Sequence, residues 1–325
     1  MSDDMKRFLR GVEHDADISV STEDGWQVVD VRNETGEGRM LFTSVLPGVY
    51  FTYNTFDMAG CTTDFAAPEG CYLGINHCSA GRIEQRMPGG VFSYISTGDL
   101  KVSDFANHAG TYVFPTGHYR GVTFNFDIEI CEDSLSRLLD GFPGSPRMLR
   151  EKFCRKHPPY VLHDFQPAER LLASLYGTKP AFLRPYAQIK ALELLLLLAD
   201  VDYSEGSQHI DYFESVRVEK VKRARDIMIA DLSVAHTVRE LAQEVGLSLT
   251  GFKDCFKGVY GMPPYGYLKS CRMERASELL LSGDLPIVDI AGIVGYDSPS
   301  KFASAFKESM GLTPTAYRLH EGKRG

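Results

Sequence analysis

The 325-residue sequence has a single tryptophan, Trp26, and no long hydrophobic run. Its longest apolar stretch, Leu194 to Ala199, is far below the roughly 20 residues that a bilayer span needs. No apolar core follows the Asp pair and Lys6-Arg7 near the start, so no signal peptide is read there. Cys-x-x-Cys pairs are also lacking. The seven cysteines (Cys61, Cys71, Cys78, Cys131, Cys154, Cys255 and Cys271) are odd in number and scattered, which excludes a disulfide framework and fits reduced thiols. These absences predict a soluble, cytoplasmic protein with no membrane partner.

Chemistry-bearing patterns are equally scarce. No phosphate loop, nucleophile elbow or carboxylate pair stands out, so neither an enzyme nor a cofactor is expected. His77, Cys78, Glu84, His108 and His118 invite a metal reading. Their spacing argues against it: there is no His-x-His pair, and adjacent residues such as His77 and Cys78 point to opposite faces of a strand. Hydrogen-bonded histidines and no metal are expected.

Positive charge is in short supply too, but unevenly. The whole chain carries −8, with 35 Lys and Arg against 43 Asp and Glu. Residues 215–325 hold 16 basic against 13 acidic residues, a net +3, and residues 1–214 hold 19 against 30, a net −11. A basic end on an acidic body fits a nucleic-acid module on a separate domain. An acidic body disfavours indiscriminate coating of DNA by the whole chain.

Taken in order, residues 1–131 read as β. Short segments rich in Val, Phe, Tyr and Thr (Trp26–Val31, Leu41–Val45, Val49–Thr55, Cys71–His77, Val91–Ile95 and Val122–Ile128) are punctuated by Gly, Pro, Asn and Asp. Many short strands at this spacing predict a small β-barrel or jelly roll, cupin-like, able to hold a small ligand. Residues 132–203 turn helical, with short helices over Glu132–Asp140, Pro146–Lys156 and Pro167–Tyr176 and a longer one over Pro185–Asp202. On the long helix Leu192, Leu195, Leu196 and Ala199 form one stripe, and Leu194, Leu197, Leu198 and Val201 a second beside it. An apolar arc that wide needs cover on two sides, from its own barrel and from a second subunit. The first stripe is the expected homodimer contact. Residues 204–215, short and polar, read as a linker. The fold class is therefore α+β and multidomain, ending in an all-α domain over 216–325.

That last domain holds a stretch that occurs twice. Leu241-Ala-Gln-Glu-Val-Gly246 is followed by Ser248, Phe252, Phe256-Lys257, Gly261, Pro264 and Tyr267. Ile290-Ala-Gly-Ile-Val-Gly295 is followed by Ser298, Phe302, Phe306-Lys307, Gly311, Pro314 and Tyr317. Gly246 and Gly295 are 49 residues apart and the serines, phenylalanines and tyrosines 50 apart, so one residue has been added in the turn. Each copy, at about 237–257 and 286–307, reads as a helix-turn-helix. Gly suits a left-handed helix end, Ser an N-cap, and the i,i+4 phenylalanines bury one face of the second helix. Thr237 with Glu240 has capping-box spacing. The free face of the second helix is the one such motifs place in the DNA major groove. One copy alone reads equally as a helical hairpin that binds nothing; two copies in register favour DNA. Between them, Pro264–Ser282 reads as one helix of roughly 28 Å, which lets one chain reach successive major grooves.

These residues resemble the AraC/XylS-type transcriptional regulators. The likeness lies in Gly261-Met-Pro-Pro-Tyr-Gly-Tyr-Leu-Lys-Ser-Cys-Arg272 with Ala276, Leu279 and Leu280, in Ile290–Lys307, and in Gly311-Leu-Thr-Pro314-Thr-Ala-Tyr317-Arg318. It implies a seven-helix DNA-binding domain with two helix-turn-helices. It also implies a bacterial transcription factor, often an activator that contacts RNA polymerase. Cys71–Glu84, Ser96–Asp99 and Phe114–Gly121 are similar to the sensor domains of a subgroup that includes siderophore-responsive members, which implies a small-molecule effector.

By position in that motif, Thr250, Lys253, Asp254 and Lys257 are the DNA-facing candidates of the first copy. Pro299, Ser300, Lys301, Ser304 and Lys307 are those of the second. Lysine can reach guanine O6/N7 and threonine can offer its methyl to thymine. Gly251 departs from the pattern and weakens its helix by about 1 kcal/mol relative to Ala. Asp254 departs as well: it either accepts from cytosine N4 or pairs with Lys253 or Lys257. The duplicated scaffold with unlike groove-facing residues predicts two unlike half-sites per chain. Tyr53, Tyr72, Arg82, Tyr94 and Tyr119 are candidates for the effector pocket. The leading reading is a double-stranded-DNA-binding regulator controlled by a small molecule. Its competitors are a ligand-independent regulator controlled by abundance or cysteine oxidation, and a barrel enzyme fused to a DNA-binding domain.

Overall fold

The computed structural model describes residues 17–62, 71–87, 90–104, 111–155, 159–202, 213–283 and 285–321. His108 and the linker up to Tyr212 lie outside these. The chain divides into two compact units, Met1–Tyr212 and Phe213–Gly325.

The first unit is built on antiparallel strands: β1 (Ile18–Glu23), β2 (Trp26–Asn33), β3 (Gly36–Leu46), β4 (Val49–Asp57), β5 (Gly60–Thr62), β6 (Tyr72–Met87), β7 (Val91–Ser96), β8 (Leu100–Asp104), β9 (Thr111–Val113), β10 (His118–Asp127) and β11 (Tyr160–Leu162). They run β1-β2-β3-β4-β10-β6-β7; β8 also pairs with β6 and β11, and β9 with β5 and β6. The sheet curls into a half-barrel around Val29, Val31, Phe42, Tyr50, Phe56, Tyr72, Ile95, Phe114 and Tyr119. Its other face carries Phe51, Leu73, Ile75, Val122, Phe124 and Phe126, as the two-residue alternation of a strand requires.

Four helices cover that outer face: α1 (Ile128–Leu138), α2 (Pro146–Cys154), α3 (Gln166–Gly177) and α4 (Pro180–Asp200). Leu135, Leu149, Phe153, Leu172, Leu183, Leu194 and Leu198 share one core with the sheet. Residues 132–202 are therefore packed into the same unit as the strands. Six strands answer to the expected segments, while β1, β5, β8, β9 and β11 are additional. β1 is almost wholly exposed and three of the others are only three residues long, so neither gives a burial alternation to read. Ile128, expected at a strand end, instead opens α1, because Asp127 caps the Glu129 and Ile130 amides. The long helix begins at Pro180, five residues before the expected Pro185, which lies inside it. Ala181, four residues before Pro185, is exposed, so water can reach the carbonyl that the missing N–H leaves unpaired.

The second unit has seven helices among the described residues: α5 (Ser215–Ala230), α6 (Val238–Glu244), α7 (Leu249–Tyr260), α8 (Pro264–Ser282), α9 (Ile287–Ile293), α10 (Pro299–Met310) and α11 (Pro314–Glu321). No helix among the described residues is long and apolar enough to cross a membrane.

Candidate nucleic-acid interface

The duplicated sequence builds duplicated contacts. Thr237 and Glu240 complete a reciprocal capping box at α6, with the Thr237 N–H donating to Glu240 at 2.8 Å; these hydrogen bonds lower the Glu240 pKa. Gly246 and Gly295 are both left-handed, with φ of 63° and 77°. Ser248 caps α7, accepting from the Gly251 N–H at 3.1 Å, and Ser298 caps α10, accepting from the Lys301 N–H at 3.4 Å. Phe252 and Phe256 are fully buried with ring centroids 5.6 Å apart, and Phe302 and Phe306 repeat this at 5.7 Å. Phe256 meets Tyr267 edge-on at 5.7 Å and 78°; Phe306 meets Tyr317 at 5.3 Å and 82°. The aromatic face of each second helix is thus spent on its core.

The opposite faces are open. Thr250, Lys253, Asp254 and Lys257 on α7 are all exposed, as are Pro299, Ser300, Lys301, Ser304 and Lys307 on α10. Each face carries two lysines. Ser304 donates back to its own helix, to the Ser300 carbonyl at 3.0 Å. No ion pair joins Asp254 to Lys253 or Lys257 among the described residues, so its carboxylate stands in solvent with its acceptor capacity unspent. Gly251 also gains a local reason: a Cβ there would lie 3.0 Å from the Ser248 cap oxygen.

Arg272 of α8 brackets the two helix pairs. Its Nε donates to the Leu232 carbonyl at 3.0 Å and its Nη2 to the Val234 carbonyl at 3.4 Å, both in the loop before α6. Its guanidinium lies 5.8 Å from the ring centroid of Tyr296, in the turn between α9 and α10. A side chain at neighbouring Gly295 would collide with both the Leu232 carbonyl and this guanidinium.

In the first unit the five effector candidates do not converge. Tyr72 and Tyr119 are in the inner core. Tyr53 lies on the outer face, 5.8 Å from the Tyr176 ring. Arg82 and Tyr94 are buried on the side of β6 and β7 opposite Ile83 and Ile95. There Arg82 donates to Ser96 and stacks over Tyr94 at 5.1 Å, and the Tyr94 hydroxyl donates to Glu84 at 2.6 Å. His77, also on the outer face, has a ring nitrogen 2.8 Å from the Tyr176 hydroxyl and another 3.5 Å from Glu169. Burial lowers its pKa, against the pull of Glu169. Cys78 turns inward and His118 is exposed, so these metal candidates are kept apart.

On α4 the expected contact stripe is divided. Leu195 is fully buried in its own unit, Leu192 and Ala199 are half-buried, and Leu196 is 40% exposed. The outward stripe is instead Phe182, Tyr186, Ile189 and Leu196, with exposures of 57, 43, 57 and 40%. The first three had no place in the sequence reading. Their signal was present as an i,i+4,i+7 spacing, but Pro185 had placed the helix start after Phe182.

Comparison with known proteins agrees with this geometry. Residues 241–320 match the family model described as a helix-turn-helix domain. The chain is 33% identical over 132 residues to the virulence regulon transcriptional activator VirF of Yersinia enterocolitica, covering 41% of this chain and 48% of that protein. It is 31% identical over 203 residues to the transcriptional regulator ExsA of Pseudomonas aeruginosa, covering 61% and 62%. Among solved structures, the C-terminal domain of the response regulator AraT from Geobacillus stearothermophilus is 38% identical, covering 31% of this chain and 84% of that one, with a TM-score of 0.30. The chain spans about half the length of the first curated relatives it matches. The C-terminal unit carries an AraC-type helix-turn-helix DNA-binding domain, similar to those of these regulators.

Proposed function

We propose that the protein is a sequence-specific, double-stranded-DNA-binding transcriptional regulator, an activator, that presents two unlike helix-turn-helices from one chain. The observation that carries this is the pair of faces on α7 and α10: equivalent aromatic residues are buried, and eight polar residues are exposed together with Pro299. In this reading α7 and α10 enter successive major grooves. Lys253 reads a base edge, Thr250 and Asp254 lie beside it, and Lys257, Lys301 and Lys307 meet phosphates. Pro299 starts α10, and Ser300 and Ser304 act through water or phosphate. The names of VirF and ExsA support a role in transcription and speak for regulation over the enzyme reading. RNA polymerase is the partner an activator of this kind would contact.

The first unit, in this reading, is a cupin-like sensor domain. A small molecule held there shifts how the DNA-binding units are presented, by binding one arrangement more tightly than the other. The competing idea of control through cysteine oxidation is disfavoured by chemistry. Burial raises the Cys78, Cys131 and Cys271 thiols, Cys154 to about 12 and Cys255 to about 11, which leaves them protonated and unreactive near neutral pH.

Operator selection from random duplexes, followed by affinity measurements, tests the reading. Lys253→Ala should relax preference at one base position, costing about 1–3 kcal/mol on the selected site and little on random DNA. Equal losses on both would remove the base-reading role and leave a phosphate contact. Failure to select any duplex would remove the function.

A further inference from the structure

The inner face of the half-barrel holds a positive charge with no anion beside it among the described residues. Lys101 sits on β8 between Leu100 and Val102, which both join the outer core, so strand alternation turns its side chain inward. It is 7% exposed, and its Nζ donates to Gln85 Oε1 at 3.1 Å. No carboxylate of the described residues faces it; burial alone acts on its ammonium.

Register then builds a polar patch across three adjacent strands. Lys101 stands opposite Asn76, and Asn76 opposite Thr123; two residues along, Ser103 stands opposite Gly74, and Gly74 opposite Asn125. Asn76 is committed, its Nδ2 donating to the Tyr119 hydroxyl at 2.8 Å and to Thr123 Oγ1 at 2.9 Å. Asn125 is not: it is 3% exposed and its Oδ1 has no hydrogen-bond partner among the described residues. Gly74 leaves this oxygen uncovered, since a Cβ there would stand 3.3 Å from it and 3.4 Å from Ser103 Oγ. A buried cation lacking an anion and a buried acceptor lacking a donor each cost stability. One ligand carrying both an anion and a donor removes both costs. Two inter-strand spacings and two residues of rise put the Lys101 and Asn125 α-carbons about 12 Å apart. Both side chains stand on the inner face, the Lys101 ammonium at Gln85 and the Asn125 oxygen beside Ser103.

We propose that this inner face binds a small hydroxycarboxylate, its carboxylate on Lys101 and its hydroxyl donating to Asn125 Oδ1 beside Ser103. The inference rests on the sensor reading above and names the chemistry of what is sensed. The test is thermal unfolding of the purified full chain with L-lactate, D-lactate and 3-hydroxybutyrate as probes. Lactamide and sodium chloride at matched ionic strength are the controls. At least one acid should raise the wild-type Tm saturably where lactamide does not. The effect should vanish in Lys101→Met and weaken about tenfold in Asn125→Leu. Lys101→Arg, which keeps the charge, should retain part of it and guards against a folding defect in Lys101→Met. No stabilisation by any of the acids, or equal stabilisation of wild type and Lys101→Met, overturns the site. Affinity for the selected operator, measured with and without the acid, separates the two layers. A Lys101-dependent rise in Tm with unchanged DNA affinity keeps the site and sinks the sensor reading, whereas absence of the rise leaves DNA binding standing.

Discussion

Lys101 makes the half-barrel less stable than it need be. Burial brings its pKa from the usual 10.5 to about 8. The folded chain therefore releases that proton near pH 8, and the unfolded chain only near 10.5. Between those values the unfolded chain holds more protons, so stability rises with pH there, and the full penalty is present below about pH 8. The shift corresponds to about 3 kcal/mol at most. Lys101→Met should accordingly be more stable than wild type at pH 7, by on the order of 2 kcal/mol, with the difference shrinking as pH rises toward 10. Denaturant unfolding at pH 7 and pH 9.5 measures it, and a variant less stable at both would show that Lys101 is a structural residue. None of this was legible in the sequence, where one lysine between Leu100 and Val102 reads as the polar step of an ordinary alternating strand. Its burial depends on the pairing of β8 with β6 and on Gln85 of β6 meeting its ammonium.

At the scale of elements, α8 decides how α7 and α10, the DNA-facing helices of the proposed function, are set. Its nineteen residues span about 28 Å, and Arg272 fixes both ends of the relation by holding the loop before α6 and the turn before α10. Arg272→Met keeps the aliphatic stem and removes the two carbonyl contacts, each worth about 1 kcal/mol. It should weaken binding to a duplex carrying both half-sites by about tenfold and leave binding to a single half-site unchanged, as read by fluorescence anisotropy. An equal loss on both duplexes would assign Arg272 to phosphate instead. The elements of this unit were largely readable beforehand. Pro264–Ser282, the Thr237 capping box and the Ser248 and Ser298 caps follow from local chemistry that needs no distant partner. The half-barrel was read more coarsely, because a strand as short as β5 exists only by pairing with β9, far from it in the chain.

For the whole molecule, the question is what a second copy would touch. The half-buried and buried leucines of α4 are occupied within their own unit, which leaves Phe182, Tyr186, Ile189 and Leu196 as the apolar stripe facing water. As the contact of a homodimer, this stripe predicts that Ile189→Asp shifts the full chain from dimer to monomer in sedimentation while its melting temperature changes little, since Ile189 is 57% exposed. A wild-type chain that sediments as a monomer at micromolar concentration would remove the dimer. The charge division belongs to this scale too: under the proposed function, the acidic body disfavours DNA and leaves its capture to the basic end.

The duplicated helix-turn-helix pattern, its caps, its buried phenylalanines and its outward polar residues were determined by sequence alone, because helix periodicity and capping act within a few residues of each other. Only the tertiary structure decided which arc of the leucine-rich helix meets the core, that Tyr53, Tyr72, Arg82, Tyr94 and Tyr119 do not share one site, and that Lys101, Ser103 and Asn125 do share one face. Those outcomes depend on strand register and sheet curvature, which bring together residues far apart in the chain and leave no local mark in it.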